Sequence, residues 1–87
     1  MKEQASEQTR EAFLEAVDNQ LRDGTPTETW TTYERLQKEG HTAQEAKRLI
    51  AAVLACEFYE VAKSKQPYDQ KRYVGWLLQL PKMPYDK

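Results

Sequence analysis

The chain has few residues of the kinds that form most catalytic and metal sites. Its 87 residues include one cysteine, Cys56, and one histidine, His41. A single cysteine excludes a disulfide within the chain and favours a reducing, cytoplasmic location. On one predicted helix, His41 and Cys56 are separated by about 22 Å, because each residue adds about 1.5 Å. No Cys–His pair can form within one chain, so we expect no enzymatic activity, no cofactor and no metal.

Long apolar runs and an excess of one charge are also missing. The longest apolar run, from Leu49 to Cys56, is far shorter than the roughly 20 residues that span a membrane. The polar start of the chain offers no secretory signal. Thirteen Lys and Arg residues nearly balance 14 Asp and Glu residues, for a net charge of −1. This balance argues against nucleic acid as a partner, and we expect no membrane partner.

Apolar residues recur at helical spacing in four segments of the chain. This pattern predicts a compact, all-α, four-helix domain with a long central third helix. We expect a disordered or frayed N-terminus over residues 1–8, a helical domain over residues 9–80 and an extended C-terminal tail over residues 81–87. A chain of this length has room for one domain.

Capping patterns predict where three of the helices start. Thr25–Glu28 combines a capping box with a proline, and Thr42–Glu45 is a second capping box. Asp69 is expected to cap the fourth helix, with Tyr68 and Tyr73 spaced as a hydrophobic staple. The second and third helices are therefore joined by a tight turn.

Two further expectations concern the first two helices. The first helix is predicted to start near Ser6 or Thr9 and to end before Gly24. The second helix is predicted to present Trp30, Tyr33 and Leu36 to the core. The end of the first helix follows from Gly24, which can adopt the left-handed conformation of a helix stop. The inward face of the second follows from the spacing of its apolar residues.

One acid interrupts the apolar stripe of the third helix. Glu57 follows Val53 by four residues and precedes Val61 by four, so we expect it to be buried. A buried carboxylate must be paired, hydrogen-bonded or protonated. One interpretation is that a neighbouring helix satisfies it, and the other is that it lines a ligand site. The candidate partners in the first interpretation are Gln20, Trp30, Tyr33, Arg35 and Tyr73.

Two surface regions are candidates for contacts with partners. Helix three is apolar on nearly every side, while helix two offers few large side chains to cover it, so apolar surface is left for a partner. A second region is basic and surrounds the turn at Pro67, although such clusters are usually only solvated. The candidate partner surface comprises Trp76, Leu78 and Met83, and the candidate basic patch comprises Lys63, Lys65, Lys71, Arg72 and Lys82.

Three sequence elements form a pattern: Gly-His-Thr-x-x-Glu-Ala from Gly40, Ile-Ala-x-Val-Leu-x-x-Glu ending at Glu57, and Pro-Tyr-Asp from Pro67 continuing to Leu80-Pro81. Together they resemble a family of small bacterial proteins of unknown function. The resemblance covers roughly residues 15–85 of the sequence. It implies a bacterial origin and a place for Glu57 in the family pattern, and it implies no known activity.

These observations favour a non-enzymatic protein-interaction or accessory module. Its partner is expected to be another protein or a second copy of the chain in a homodimer. The alternative is a nucleic-acid-associated helical regulator that uses the basic patch. The third hypothesis is a small-molecule or metal site around Glu57.

Overall fold

The computed structural model describes the backbone of residues 2–84 and the side chains of residues 8–84. Within these residues the secondary structure consists of four helices and no strand, which confirms the predicted all-α fold and its long third helix. Tyr85 and the rest of the predicted tail, residues 85–87, lie outside the described residues. The helices are α1 (Lys2–Asp23), α2 (Thr27–Lys38), α3 (Ala43–Ser64) and α4 (Gln70–Gln79).

Helices α2 and α3 each pack against all of the other helices, and α3 is central because it supplies half of the buried apolar residues of the core. It contributes apolar residues such as Ile50 and Val53 to the core, and α1 covers them with Val17. Helix α2 adds Leu36 from another side. The C-terminal part of the core comes from α4 and the residue after it: Tyr73, Leu77 and Leu80.

Two of the three predicted helix caps are confirmed. Thr42 and Glu45 form a reciprocal capping box, with both hydrogen bonds at 3.0 Å. The Asp69 side chain accepts a hydrogen bond from the backbone N–H of Arg72 and caps α4. Each cap satisfies backbone groups that a helix start otherwise leaves without partners.

The capping box predicted at Thr25 is wrong. Helix α2 starts at Thr27, so Pro26 occupies the cap position and offers no side-chain acceptor. The backbone N–H groups of Gly24 and Thr25 both donate to the carbonyl oxygen of Gln20, at 2.8 and 3.3 Å. Thr25 therefore belongs to the turn that ends α1, where Gly24 adopts a φ of +74°.

Helix α1 starts at Lys2, earlier than the predicted Ser6 or Thr9, so the segment predicted to be frayed is helical from Lys2 onward. The early residues include good helix formers and no glycine or proline, so nothing in them breaks the helix. At the other end of the chain, Met83 is half-buried against the core. Residues 81–84 of the predicted extended tail thus fold back onto the domain.

The buried face of α2 differs from the prediction. Leu36 is buried as expected, but Trp30 is exposed and Tyr33 is half-buried. Two threonines, Thr29 and Thr32, occupy the core instead. Thr29 can be buried because its hydroxyl donates a hydrogen bond to Oε1 of Gln20. Trp30, the next residue, lies about 100° further round the helix, with its ring 5.6 Å from that of Tyr33.

Candidate functional site

Glu57 is fully buried, and its carboxylate is bound by two groups at the start of α4. Oε1 accepts a hydrogen bond from Nε of Arg72 at 2.7 Å, and Oε2 accepts one from Nη2 at 2.8 Å. Oε2 also accepts from the backbone N–H of Asp69 at 2.8 Å. Two parallel hydrogen bonds between a guanidinium and a carboxylate form one of the stronger pairings in proteins. One carboxylate therefore joins the end of α3 to the start of α4.

The segment between α3 and α4 is shaped to support this contact. Lys65 ends α3 with a φ of 60°, a left-handed conformation that turns the chain back. The side chain of Asp69 caps α4, while its backbone N–H points to Glu57. The rings of Tyr68 and Tyr73 are 6.3 Å apart on either side of the cap, as in the predicted staple. Local capping and the buried ion pair thus fix the same turn.

The electrostatics of the site favour a structural role for Glu57. Its hydrogen bonds raise the pKa of the Arg72 guanidinium, which stays protonated. Burial, with a smaller effect of the Glu57 carboxylate, raises the pKa of Tyr68. A metal ion or ligand at Glu57 would have to displace Arg72. Among the described residues, no group of three His, Cys, Asp or Glu side chains is placed to hold a metal ion.

The side chain that pairs with Glu57 is Arg72, which is not among the candidate partners predicted from the sequence. Arg72 is among the residues predicted to form the basic patch, but it pairs with Glu57. Three of the five candidate partners, Gln20, Arg35 and Tyr73, bond to other groups. Arg35 binds Glu39 and the carbonyl oxygen of Leu77. A signal was present, because Arg72 precedes Trp76 by four residues and so lies on the inward side of α4. A cation on that side of a helix is a candidate partner for a buried acid.

A second buried polar cluster connects α1, α2 and α4. Oε1 of Gln20 accepts hydrogen bonds from the hydroxyl groups of Thr29, at 2.8 Å, and Tyr73, at 2.9 Å. Burial raises the pKa of Tyr73 to about 12, so the hydroxyl stays protonated and keeps donating. These hydrogen bonds satisfy polar groups that would be costly to bury alone. The cluster therefore links α1, α2 and α4 by side-chain hydrogen bonds.

The structure divides the candidate basic patch. Lys63, Lys65 and Lys71 are exposed near the turn between α3 and α4. The charge of Arg72 is instead paired with Glu57. Lys82 lies beyond the other end of α4, whose ten residues span about 15 Å. Three of the five predicted residues thus stay together as exposed cations.

An open depression of about 460 Å³ lies beside the same turn. It is lined by residues 66–72, which are consecutive in the chain. A ligand there would contact one turn only, whereas most ligand pockets lie between separate elements. We therefore assign no site to this depression.

The candidate partner residues do not lie on one face. Trp76 and Met83 are half-buried against the core, and the Arg72 guanidinium lies 5.9 Å from the centre of the Trp76 ring. Leu78 is 62% exposed. It follows Trp76 by two residues, which places the two side chains on opposite sides of α4. A single flat partner cannot cover both.

Helix α3 also carries apolar residues at the edge of its buried face and beyond it. Leu49 is half-buried and packs against the edge of the core, Ala52 and Cys56 are half-buried, and Tyr59 is 56% exposed. Burial and the nearby Glu60 raise the pKa of the Cys56 thiol. Charged residues stand at the two ends of this row. We name it the outer stripe of α3, and it consists of Glu45, Leu49, Ala52, Cys56, Tyr59 and Lys63.

Comparisons with known proteins do not assign the chain to a family. No family model, no curated protein and no solved structure matches it. The resemblance to bacterial proteins of unknown function therefore stays a prediction. In the part of the chain that the structure describes, no helix is both long and apolar enough to cross a membrane.

Proposed function

We propose that this protein is a non-enzymatic protein-interaction module whose binding surface is the outer stripe of α3. The observation that carries the proposal is that α3 buries one face in the core and is still apolar on another. Tyr59 is 56% exposed there, in a row with Leu49, Ala52 and Cys56. Contiguous apolar patches with polar residues at their rim mark interaction sites on soluble proteins.

The buried polar groups support binding rather than catalysis. Glu57 is held by Arg72 and Asp69, so its contacts stabilise the fold. Burial raises the pKa of the Cys56 thiol and so disfavours the nucleophilic thiolate. His41 lies just before α3, about 22 Å along the helix from Cys56. We also propose that the protein is bacterial and cytoplasmic and that it uses no cofactor.

The two alternatives have less support. A nucleic-acid-associated regulator would use the basic patch, but Arg72 is paired internally and Lys82 lies at the other end of α4. A ligand site at Glu57 would require the loss of three hydrogen bonds. Neither alternative explains the apolar outer stripe.

A capture experiment with matched variants tests the proposal. The protein is immobilised and exposed to bacterial cell extract and to a differently tagged copy of the same chain. We expect Tyr59→Lys to abolish the capture of at least one protein that the wild type retains. Trp30→Lys changes an exposed aromatic residue on α2 in the same way and should retain that protein. Equal capture by wild type and both variants would contradict the proposal.

A further inference from the structure

The outer stripe of α3 has the spacing of a coiled-coil seam. Its six residues are separated alternately by four and three positions along the helix. This is the spacing with which the a and d positions of a heptad line one side of a helix against a partner helix. The stripe therefore fits another helix better than it fits a loop or a strand.

The stripe is also complementary to the same stripe on a second, antiparallel copy of α3, when the two helices cross at the level of Leu54. Glu45 then faces Lys63 of a second copy, and the other two facing pairs are both apolar. One pairs the large side chains of Leu49 and Tyr59, and the other pairs small ones at the centre, Ala52 and Cys56.

The charges select this orientation. An antiparallel arrangement places Glu45 of one copy opposite Lys63 of the other at both ends of the stripe. The two side chains are 54% and 58% exposed, so each can reach the second copy. A parallel arrangement would place like charges opposite one another, which is unfavourable. Small residues at the centre let two helix backbones approach closely. Apolar pairing, charge and side-chain size thus agree on one geometry.

We propose that the partner of the outer stripe is a second copy of the chain, with two α3 helices packed antiparallel across a two-fold axis near Leu54. This inference rests on the proposed function and specifies the partner. A two-fold arrangement uses the same surface on both copies, so the contact closes as a dimer. The end charges set the orientation, while the apolar middle provides most of the affinity.

Zero-length carbodiimide cross-linking tests the geometry. In one chain, Glu45 and Lys63 are about 27 Å apart along α3, too far to be joined directly. In the proposed dimer they face each other across the two copies. We expect a Glu45–Lys63 cross-link that joins light and heavy chains in a mixture of unlabelled and ¹⁵N-labelled protein. Glu60 and Lys63, 3.6 Å apart within one chain, provide an internal control for the reaction.

Sedimentation equilibrium of the full chain, from micromolar to submillimolar concentration, measures the dimer itself. Ala52→Arg places a charge at the centre of the contact and should raise the dissociation constant by about tenfold or more. Ala62→Arg makes the same change at an exposed position about a quarter of a turn round α3 and should leave the constant nearly unchanged. Circular dichroism establishes that both variants are folded.

The outcomes separate this inference from the proposed function. A dimer that gives the Glu45–Lys63 cross-link and is weakened by Ala52→Arg alone supports the inference. A dimer without that cross-link, or one weakened equally by both variants, overturns it. A monomer at every concentration also overturns it. In the last case, Tyr59-dependent capture of a different protein would still uphold the proposed function.

Discussion

Replacing Glu57 by alanine removes the carboxylate that joins α3 to α4. The substitution leaves the backbone N–H of Asp69 without its acceptor and opens a cavity in the core. A lost hydrogen bond of this kind costs about 1 to 3 kcal/mol, and the cavity adds to it. Arg72 is 30% exposed and can turn toward water, which limits the loss. We expect the free energy of unfolding to fall by about 2 to 4 kcal/mol.

This loss is a large share of the total stability. A chain of 87 residues is expected to have an unfolding free energy of about 4 to 13 kcal/mol. The melting temperature of Glu57→Ala should therefore fall by roughly 10 to 30 °C. Glu57→Leu keeps most of the side-chain volume and leaves only polar groups without partners, so we expect a smaller loss of about 1 to 2 kcal/mol.

Urea denaturation followed by circular dichroism measures these differences. Glu34→Ala is the matched control, because Glu34 is exposed on α2, and it should change the free energy by less than about 0.5 kcal/mol. If Glu57→Ala were as stable as Glu34→Ala, the buried ion pair would not exist in solution. If Glu57→Leu were less stable than Glu57→Ala, the reasoning about cavity volume would be wrong.

Two further predictions concern pH and capping. Burial raises the pKa of Tyr73 to about 12, above its unfolded value of about 10, so the stability it contributes is complete below about pH 10 and is lost as pH rises toward 12. Between about pH 9 and pH 11, the free energy of unfolding of the wild type should fall by about 1 kcal/mol relative to that of Tyr73→Phe, as measured by urea denaturation. If the difference between the two proteins did not change with pH, the burial of this hydroxyl would be contradicted. Asp69→Ala removes the side-chain cap of α4 but keeps the backbone N–H that binds Glu57, so it should cost about 1 kcal/mol, less than Glu57→Ala. Equal losses in these two variants, measured by the same assay, would mean that the cap and not the ion pair fixes the turn.

The helices could be predicted from the sequence because their signals are local. The capping box at Thr42, the cap at Asp69 and the stop at Gly24 each depend on a few neighbouring residues. The prediction at Thr25 is wrong because the backbone N–H of Thr25, which a capping box would use, donates to the carbonyl oxygen of Gln20 in the turn that ends α1. Local patterns compete when two helix ends lie close together.

The burial of Glu57 could be predicted, but its partner could not. Periodicity within α3 places Glu57 among apolar residues, whatever packs against it. The identity of the partner depends on how α4 turns back onto α3, which is a tertiary property. The Gln20, Thr29 and Tyr73 cluster was missed for the same reason, since its members come from three different helices. The prediction that Trp30 faces the core is wrong because two polar residues, Thr29 and Thr32, occupy the buried positions of α2 beside Leu36.

The outer stripe of α3 is tested most directly by ¹⁵N NMR spectra of the full chain recorded during dilution from submillimolar to micromolar concentration. We predict that the backbone amide signals of Leu49, Ala52, Cys56 and Tyr59 shift with concentration, while those of α1 and α2 stay in place. Ala52→Arg should remove these shifts. Spectra that do not change with concentration would contradict the pairing of two copies, and shifts confined to α1, α2 or the outer side of α4 at Leu78 would contradict the assigned surface.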